Sequence, residues 1–257
     1  MTPPSTRPLR LGILVPSSNT ALEPLTTQLL LPLHPTLTVH FSRFPVTQIA
    51  LTPSALSQFD DTKILAAAVL LADAAVDVIG WSGTSAGWLG LEADRRLCAR
   101  IKEVTGVQAT TSVLGLCHVL EEVMGEGERR FGLVTPYLDD VQDAILKTFS
   151  AEGYEIVAES HLRRTVNVEF ADVDEETLDR QMEHVMERIK DEDVKVVSTF
   201  CTNLRSAQRV SVWEEKYPGL IVADTVATVI WEMLRMVGLE TSIVKGWGKM
   251  FDIKTSK

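Results

Sequence analysis

Cysteine is scarce and odd in number: Cys98, Cys117 and Cys201 are the only three in 257 residues, and no two form a C-x-x-C pair. That excludes a disulfide framework. The five histidines, at 34, 40, 118, 161 and 184, are scattered without ligand spacing, so no metal site is expected. No run of lysine and arginine is interleaved with aromatics. The net charge of −10 and a pI near 5.0 are the reverse of a nucleic-acid footprint. The longest apolar stretch, 64–81, is broken by Asp73 and Asp77, which would be costly in hydrocarbon. It reads as a buried helix followed by a strand, not as a membrane span. The opening MTPPSTRPLR lacks the apolar segment of a signal peptide and is expected to fray. The expectation is a cytoplasmic protein that meets neither nucleic acid nor membrane; oligomeric state, a homo-oligomer included, is left open.

What is present suffices for a large core, with 45% hydrophobic residues. Short β-branched or apolar runs at 11–15, 37–41, 76–80, 107–109, 131–134, 154–158, 194–198 and 220–222 predict strands. Amphipathic segments near 20–31, 54–73, 88–103, 112–124, 138–151, 173–190, 203–216 and 225–237 predict the helices between them. Regular alternation of the two defines an α/β fold with parallel strands and crossover helices.

The pattern also repeats. GILVPSSNTALEPL (12–25) matches GLVTPYLDDVQDAI (132–145), and VDVIGWSGTS (76–85) matches VKVVSTFCTN (194–203), with Thr84 on Thr202. TGVQATTSVLGLCHVLEEVMG (105–125) matches PGLIVADTVATVIWEMLRMVG (218–238), with Gly106 on Gly219 and Ser112 on Thr225. Three matches in one order predict two equivalent α/β halves, each with a four-stranded parallel sheet. The expected division is 1–110 plus 225–257 for the first half and 111–224 for the second. Ligands bind at the carboxyl ends of such strands. The site is therefore expected in the cleft between the halves, where Pro16–Asn19, Gly83–Ser85, Thr135–Tyr137 and Cys201–Asn203 converge.

Cys201 falls where a strand gives way to an expected helix start. Free N–H groups and the helix dipole there would stabilise a thiolate and lower its pKa, so that the group could exchange a proton near neutral pH. A free cysteine also packs readily as a small hydrophobe, and position alone does not choose between the two. Cys98 and Cys117 lie inside helices and read as packing. Thr84, Ser85 and Thr202 sit at the two matching strand tips, where hydroxyls and backbone amides can cradle an anion or simply cap helices. Asn19 has the same two readings. Tyr137 either donates its phenol into the cleft or packs. Glycines 80, 83, 87 and 90 do not spell G-x-G-x-x-G, so no dinucleotide site is read here.

Taken together, VPSSNT, GTS at 83–85, TPYLDD at 135–140 and CTNLR at 201–205 resemble the aspartate/glutamate racemase superfamily, in its maleate isomerase and arylmalonate decarboxylase branch. The resemblance runs over nearly the whole chain. It implies two Rossmann-like halves related by a pseudo-twofold axis, an active site in the cleft between them, and cofactor-independent chemistry on a small dicarboxylate, with Cys201 catalytic and Asn19, Gly83, Thr84, Ser85, Tyr137, Asn167 and Thr202 around the substrate. Members with two cysteines carry the first one just before the Thr-Ser pair, where this chain has Gly83. The arylmalonate decarboxylase pattern, with that glycine and a single cysteine, is the one this chain resembles there. Asn19 and Asn167 match asparagines of the isomerases instead. The leading expectation is a decarboxylase of a substituted malonate or related small dicarboxylate, in which Cys201 protonates an enediolate. A maleate-type cis–trans isomerase, or racemase-like enzyme, using Cys201 as nucleophile is the second. An inactive dicarboxylate-binding protein is the third.

Overall fold

Eight strands form two separate sheets whose orders correspond unit for unit, β2-β1-β3-β4 and β6-β5-β7-β8. The computed structural model describes residues 7–254 apart from 60, 126, 128 and 191. The start of the chain expected to fray thus lies largely outside the described residues. The first sheet comprises β1 (Leu9–Pro16), β2 (Leu37–Phe44), β3 (Val78–Trp81) and β4 (Ala109–Thr111). The second comprises β5 (Arg129–Thr135), β6 (Tyr154–His161), β7 (Val196–Thr199) and β8 (Ile221–Asp224). Every pairing is parallel. Helices cover both faces of such sheets, which is why the central strands read as unbroken apolar runs instead of alternating: all of β3 and β7 is buried.

The helices are α1 (Leu22–Leu30), α2 (Pro53–Leu56), α3 (Asp61–Asp73), α4 (Ala86–Leu89), α5 (Leu91–Thr105), α6 (Ser112–Met124), α7 (Asp139–Ala151), α8 (Glu175–Ile189), α9 (Val210–Lys216) and α10 (Thr225–Met236). Two expected helices are broken. The one near 54–73 is α2 and α3 separated by a 3-10 turn at Ser57–Phe59. The one near 88–103 is divided at Gly90, whose φ of 92° no helix accommodates.

The expected helix at 203–216 begins later, as a 3-10 turn at Arg205–Arg209 running into α9. Tertiary bonds hold the residue that reads as its cap. Asn203 Oδ1 accepts from the backbone N–H groups of Thr20 (2.9 Å) and Ala21 (3.0 Å), and its Nδ2 donates to the Asn167 carbonyl (2.6 Å). One side chain thereby ties β7's tip to α1 and to the segment after β6.

The halves meet through α4 against α7 and through α6 against α10. At the second crossing Thr228 Oγ1 donates to the Ser112 carbonyl (2.8 Å), and a Cβ on Gly115 would stand 2.4 Å from the Thr228 carbonyl oxygen. Glycine is required there by close backbone approach. Although α10 follows β8, it packs on α6 and lies along β3 as well. No helix among the described residues is long and apolar enough to cross a membrane.

Candidate active site

The tips of β1, β3 and β7 are bonded to one another. Asn19 Oδ1 accepts from Ala21 N (3.1 Å) and Leu22 N (2.9 Å), capping α1, while its Nδ2 donates to Thr202 Oγ1 (3.2 Å). Thr202 Oγ1 donates onward to the Ser82 carbonyl (3.2 Å). Asn19 thus takes the capping role, and it supports Thr202 without lining the cavity itself. Asn167 Nδ2 donates to Ser18 Oγ (2.8 Å), which donates to the Val46 carbonyl.

Gly83, Thr84, Ser85, Tyr137, Asn167, Cys201 and Thr202 come together around one cavity of about 20 Å3. Tyr137 and Thr84 share a short hydroxyl hydrogen bond of 2.6 Å, so the two halves are joined at the reacting end by one proton. Val46, Ile49, Phe59 and Trp88 complete the lining. A volume of this size holds roughly one water molecule, so the cavity as it stands is smaller than a dicarboxylate. A wider hollow of about 350 Å3 lies along Glu232–Thr241, remote from every strand tip that carries a candidate residue.

Cys201 is 2% exposed, and burial pushes its thiol up to about 12. A hydrogen bond with Tyr137 and the backbone N–H groups of Asn203 and Leu204 pull the other way, and the nearby Asp224 carboxylate adds to the rise. This corrects the expectation of a lowered pKa. The helix that was to stabilise a thiolate starts too late, and in the closed protein the sulfur has no solvent to support a charge. Burial thus favours the thiol form of Cys201. Tyr137, also wholly buried, is shifted well above its ordinary range by desolvation. Among the described residues no lysine, arginine or histidine lines the cavity.

Asp224 braces the turn that carries Cys201. Its Oδ2 accepts from Thr199 Oγ1 (2.6 Å) just before Cys201 and from Ser206 Oγ (2.6 Å) just after it. Its Oδ1 accepts from Val226 N (2.9 Å), capping α10. The turn is thus fastened at both ends without an α-helix to support it.

Sequence reasoning did not find the wall formed by Trp81 and Trp88. Both line the cavity, and the indole of Trp81 lies over Gly83. The signal was available: two of the five tryptophans flank the GTS motif in VIGWSGTSAGWLG.

Two parallel sheets of identical order, with a buried thiol and a hydroxyl cluster between their strand tips, define a two-sheet α/β fold with its candidate site between the halves. The chain belongs to the arylmalonate decarboxylase family, which matches residues 11–251. It is 27% identical over 246 residues to a maleate isomerase of Alcaligenes faecalis, covering 91% of this chain and 93% of that protein. It is 26% identical over 176 residues to an arylmalonate decarboxylase of Bordetella bronchiseptica, covering 68% of this chain and 71% of that protein. The crystal structure of a maleate isomerase from Pseudomonas putida S16 with maleate superposes with a TM-score of 0.84 at 24% identity, covering 96% of this chain and 98% of that one. Relatives of both reaction types therefore share this fold and family.

Proposed function

We propose that this protein is a cofactor-independent decarboxylase of a substituted malonate or related small dicarboxylate. The observation that carries the reading is the make-up of the cavity: Cys201 is the one sulfur among its described lining residues, and Gly83, under the Trp81 ring, stands where two-cysteine members carry the other, which suits a single proton donor; burial also raises the Cys201 thiol, to about 12. One carboxylate of the substrate rests on Thr84, Ser85, Tyr137 and the amides beside Thr202. The bond from the α-carbon to the other carboxylate breaks, CO2 leaves, and the electron pair spreads into the held carboxylate as an enediolate. Hydroxyl and amide donors aimed at that growing charge lower the barrier, each worth about 3–4 kcal/mol by analogy with oxyanion holes. Cys201 then passes its proton to the α-carbon. The resulting thiolate, strongly basic, is reprotonated from solvent, so each turnover consumes one proton and releases one CO2.

The second reading, a maleate-type isomerase in which the Cys201 sulfur adds to the double bond, is favoured by Asn167 in the cavity wall and by Asn19 tied to Thr202. It needs a thiolate, or addition concerted with proton transfer, from a thiol that burial disfavours as an anion. Incubation with methylmalonate, phenylmalonate and maleate separates the two. CO2 release from a malonate is expected; fumarate formation without CO2 overturns the decarboxylase in favour of the isomerase.

A further inference from the structure

The five histidines show no ligand pattern in the sequence, yet His161, the last residue of β6, has a carboxylate on each ring nitrogen. Its Nδ1 lies 2.7 Å from Glu159 Oε2 and its Nε2 lies 2.6 Å from Asp139 Oδ1. An ionised carboxylate only accepts, so both nitrogens are placed to donate. The histidine side chain is 11% exposed, and the Asp139 carboxyl is held below its ordinary range, first by this bond. Both carboxylates lead on to the segment that carries Tyr137. Glu159 Oε2 also accepts from Gln142 Nε2 (2.8 Å), whose Oε1 accepts from Thr135 Oγ1 (2.7 Å). Asp139, the first aspartate of TPYLDD, also accepts from Arg163 Nε (2.8 Å). The backbone N–H of Arg163 donates to the Tyr137 carbonyl (3.0 Å), and that of Arg164 to the Pro136 carbonyl (2.8 Å). Arg163 holds a φ of 57°, a left-handed conformation unfavourable for a residue with a side chain, and such strain persists where the surroundings over-determine it.

We propose that His161 is a positioning residue for the site: by tying Glu159 to Asp139 it fixes the backbone of 135–137, and with it the phenol that meets Thr84. The inference rests on Tyr137 belonging to the substrate cradle, and it holds for decarboxylation and isomerisation alike. The Tyr137 ring makes edge contacts with Trp88 and Phe170, while its hydroxyl has to reach Thr84 of the other half at 2.6 Å. Where the oxygen sits is therefore set by the backbone that carries the ring, and a donor misplaced by about 1 Å can cost about 100-fold in rate. The loop after His161 runs on to the cavity. Ile49 N donates to the Thr165 carbonyl (3.1 Å) and Asn167 N to the Thr47 carbonyl (3.2 Å), so the clamp anchors the base of the segment that ends at Asn167. His161 itself does not line the cavity and acts through Tyr137.

The first test needs no substrate. The chain has three tyrosines, and 13C at Cζ reports on the hydrogen bond of each phenol; the Tyr137 signal is assigned by its loss in Tyr137→Phe. In His161→Phe that signal is expected to shift or broaden, while those of Tyr154 and Tyr217 stay in place. Tyr154 begins the same strand and so reports damage to β6 as a whole. An unmoved Tyr137 signal, or equal movement of Tyr137 and Tyr154, overturns the proposal. His161→Asn keeps an amide where Nδ1 meets Glu159, and His161→Gln keeps one where Nε2 meets Asp139, so each should move the signal less than phenylalanine does. If His161→Phe does not fold, these two decide: a Tyr137 signal at the wild-type position in both overturns the proposal. With whichever substrate of the malonate and maleate panel turns over, His161→Phe should lower kcat about 10–100-fold with a smaller change in KM. Placed in Tyr137→Phe it should add less than about twofold, because its effect passes through the phenol. The same fold loss in both backgrounds marks a role in the fold alone and overturns the proposal. A wild type that releases no CO2 from any malonate, while its Tyr137 signal moves in His161→Phe, overturns the decarboxylase alone. One that releases CO2 with an unmoved Tyr137 signal overturns the positioning role alone.

Discussion

The indole of Trp81 occupies the space in which a side chain on Gly83 would begin: a Cβ built on Gly83 stands 2.1 Å from Cζ2 and 2.4 Å from Cε2 of the ring. The ring has nowhere easy to go, being buried and packed on Phe44 with centroids 4.9 Å apart. Gly83 is not among the glycines with positive φ, so packing and not backbone conformation demands glycine here.

A cysteine at Gly83, the obvious way to add a second proton donor, is therefore expected to fail alone. Gly83→Cys and Gly83→Ala should each cost roughly 1–3 kcal/mol through overpacking, visible as a lower melting temperature. Gly83→Cys combined with Trp81→Ala makes room, and only the double variant should exchange the α-proton of a chiral 2-substituted acid. A stable Gly83→Cys protein that racemises such an acid would show that Trp81 does not block this position.

Alkylation reads the state of Cys201 directly. With its thiol near 12 and out of contact with solvent, iodoacetamide at pH 8 should modify Cys201 no faster than Cys117, whose thiol burial also pushes up to about 12. Rapid, selective labelling of Cys201 at pH 8 would contradict the thiol assignment and favour the nucleophile. Cys201→Ala should abolish turnover with an unchanged melting curve; full activity in that variant would refute any chemistry at this sulfur.

Removing the cradle's phenol is a separate test. Tyr137→Phe leaves the ring against Trp88 and Phe170, at 5.4 and 5.9 Å between centroids, but deletes the hydroxyl shared with Thr84. The expected result is a fall in kcat of about 10²–10³-fold with little change in fold, as for one lost donor to a developing oxyanion. An unchanged kcat would remove Tyr137 from the mechanism.

Asp224→Asn should loosen the Cys201 turn. One of the hydroxyls of Thr199 and Ser206 loses its acceptor, or the amide turns and loses the cap on Val226. A loss of about 1–3 kcal/mol in stability is expected, with kcat lowered more than KM is raised, as measured by denaturant titration and steady-state rates. Wild-type kcat in the variant would mean that the brace is structural only.

Asp94 sets a pH dependence far from the cavity. It is buried, its Oδ2 has no partner, and desolvation raises its pKa from 3.8 to about 7 against a weaker opposing bond from Thr111. The unfolded chain loses this proton near pH 4 and the folded chain near 7, so the folded state binds more protons between those values. Its contribution to stability is full below about pH 4, falls as pH rises to about 7 and is flat above. Asp94→Asn should be more stable than wild type by about 1–3 kcal/mol at pH 8 and nearly equal to it at pH 4. An equal difference at both pH values would rule out this linkage.

The sequence by itself determined the α/β class, the eight strands and the correspondence of the two halves. Each rests on local periodicity and on side-chain types that repeat along the chain. It also marked the strand tips at Thr84, Ser85, Tyr137, Cys201 and Thr202, because strand tips in a repeated α/β pattern are legible from the strands; Asn167 came from the resemblance alone. The chemistry at those tips was not legible. The expected low pKa of Cys201 depended on a helix starting at Thr202–Asn203. That start was lost because Asn203 spends its side chain on Thr20, Ala21 and Asn167, residues far away in sequence. The meaning of Gly83 likewise turned on Trp81, at the end of β3, whose ring lies over the glycine and packs on Phe44 of β2, two strands away in the sheet. Burial, and hence whether a sulfur is an acid or a nucleophile and which donors remain free, is a property of what packs on a residue from elsewhere in the chain. Only the tertiary structure decides that.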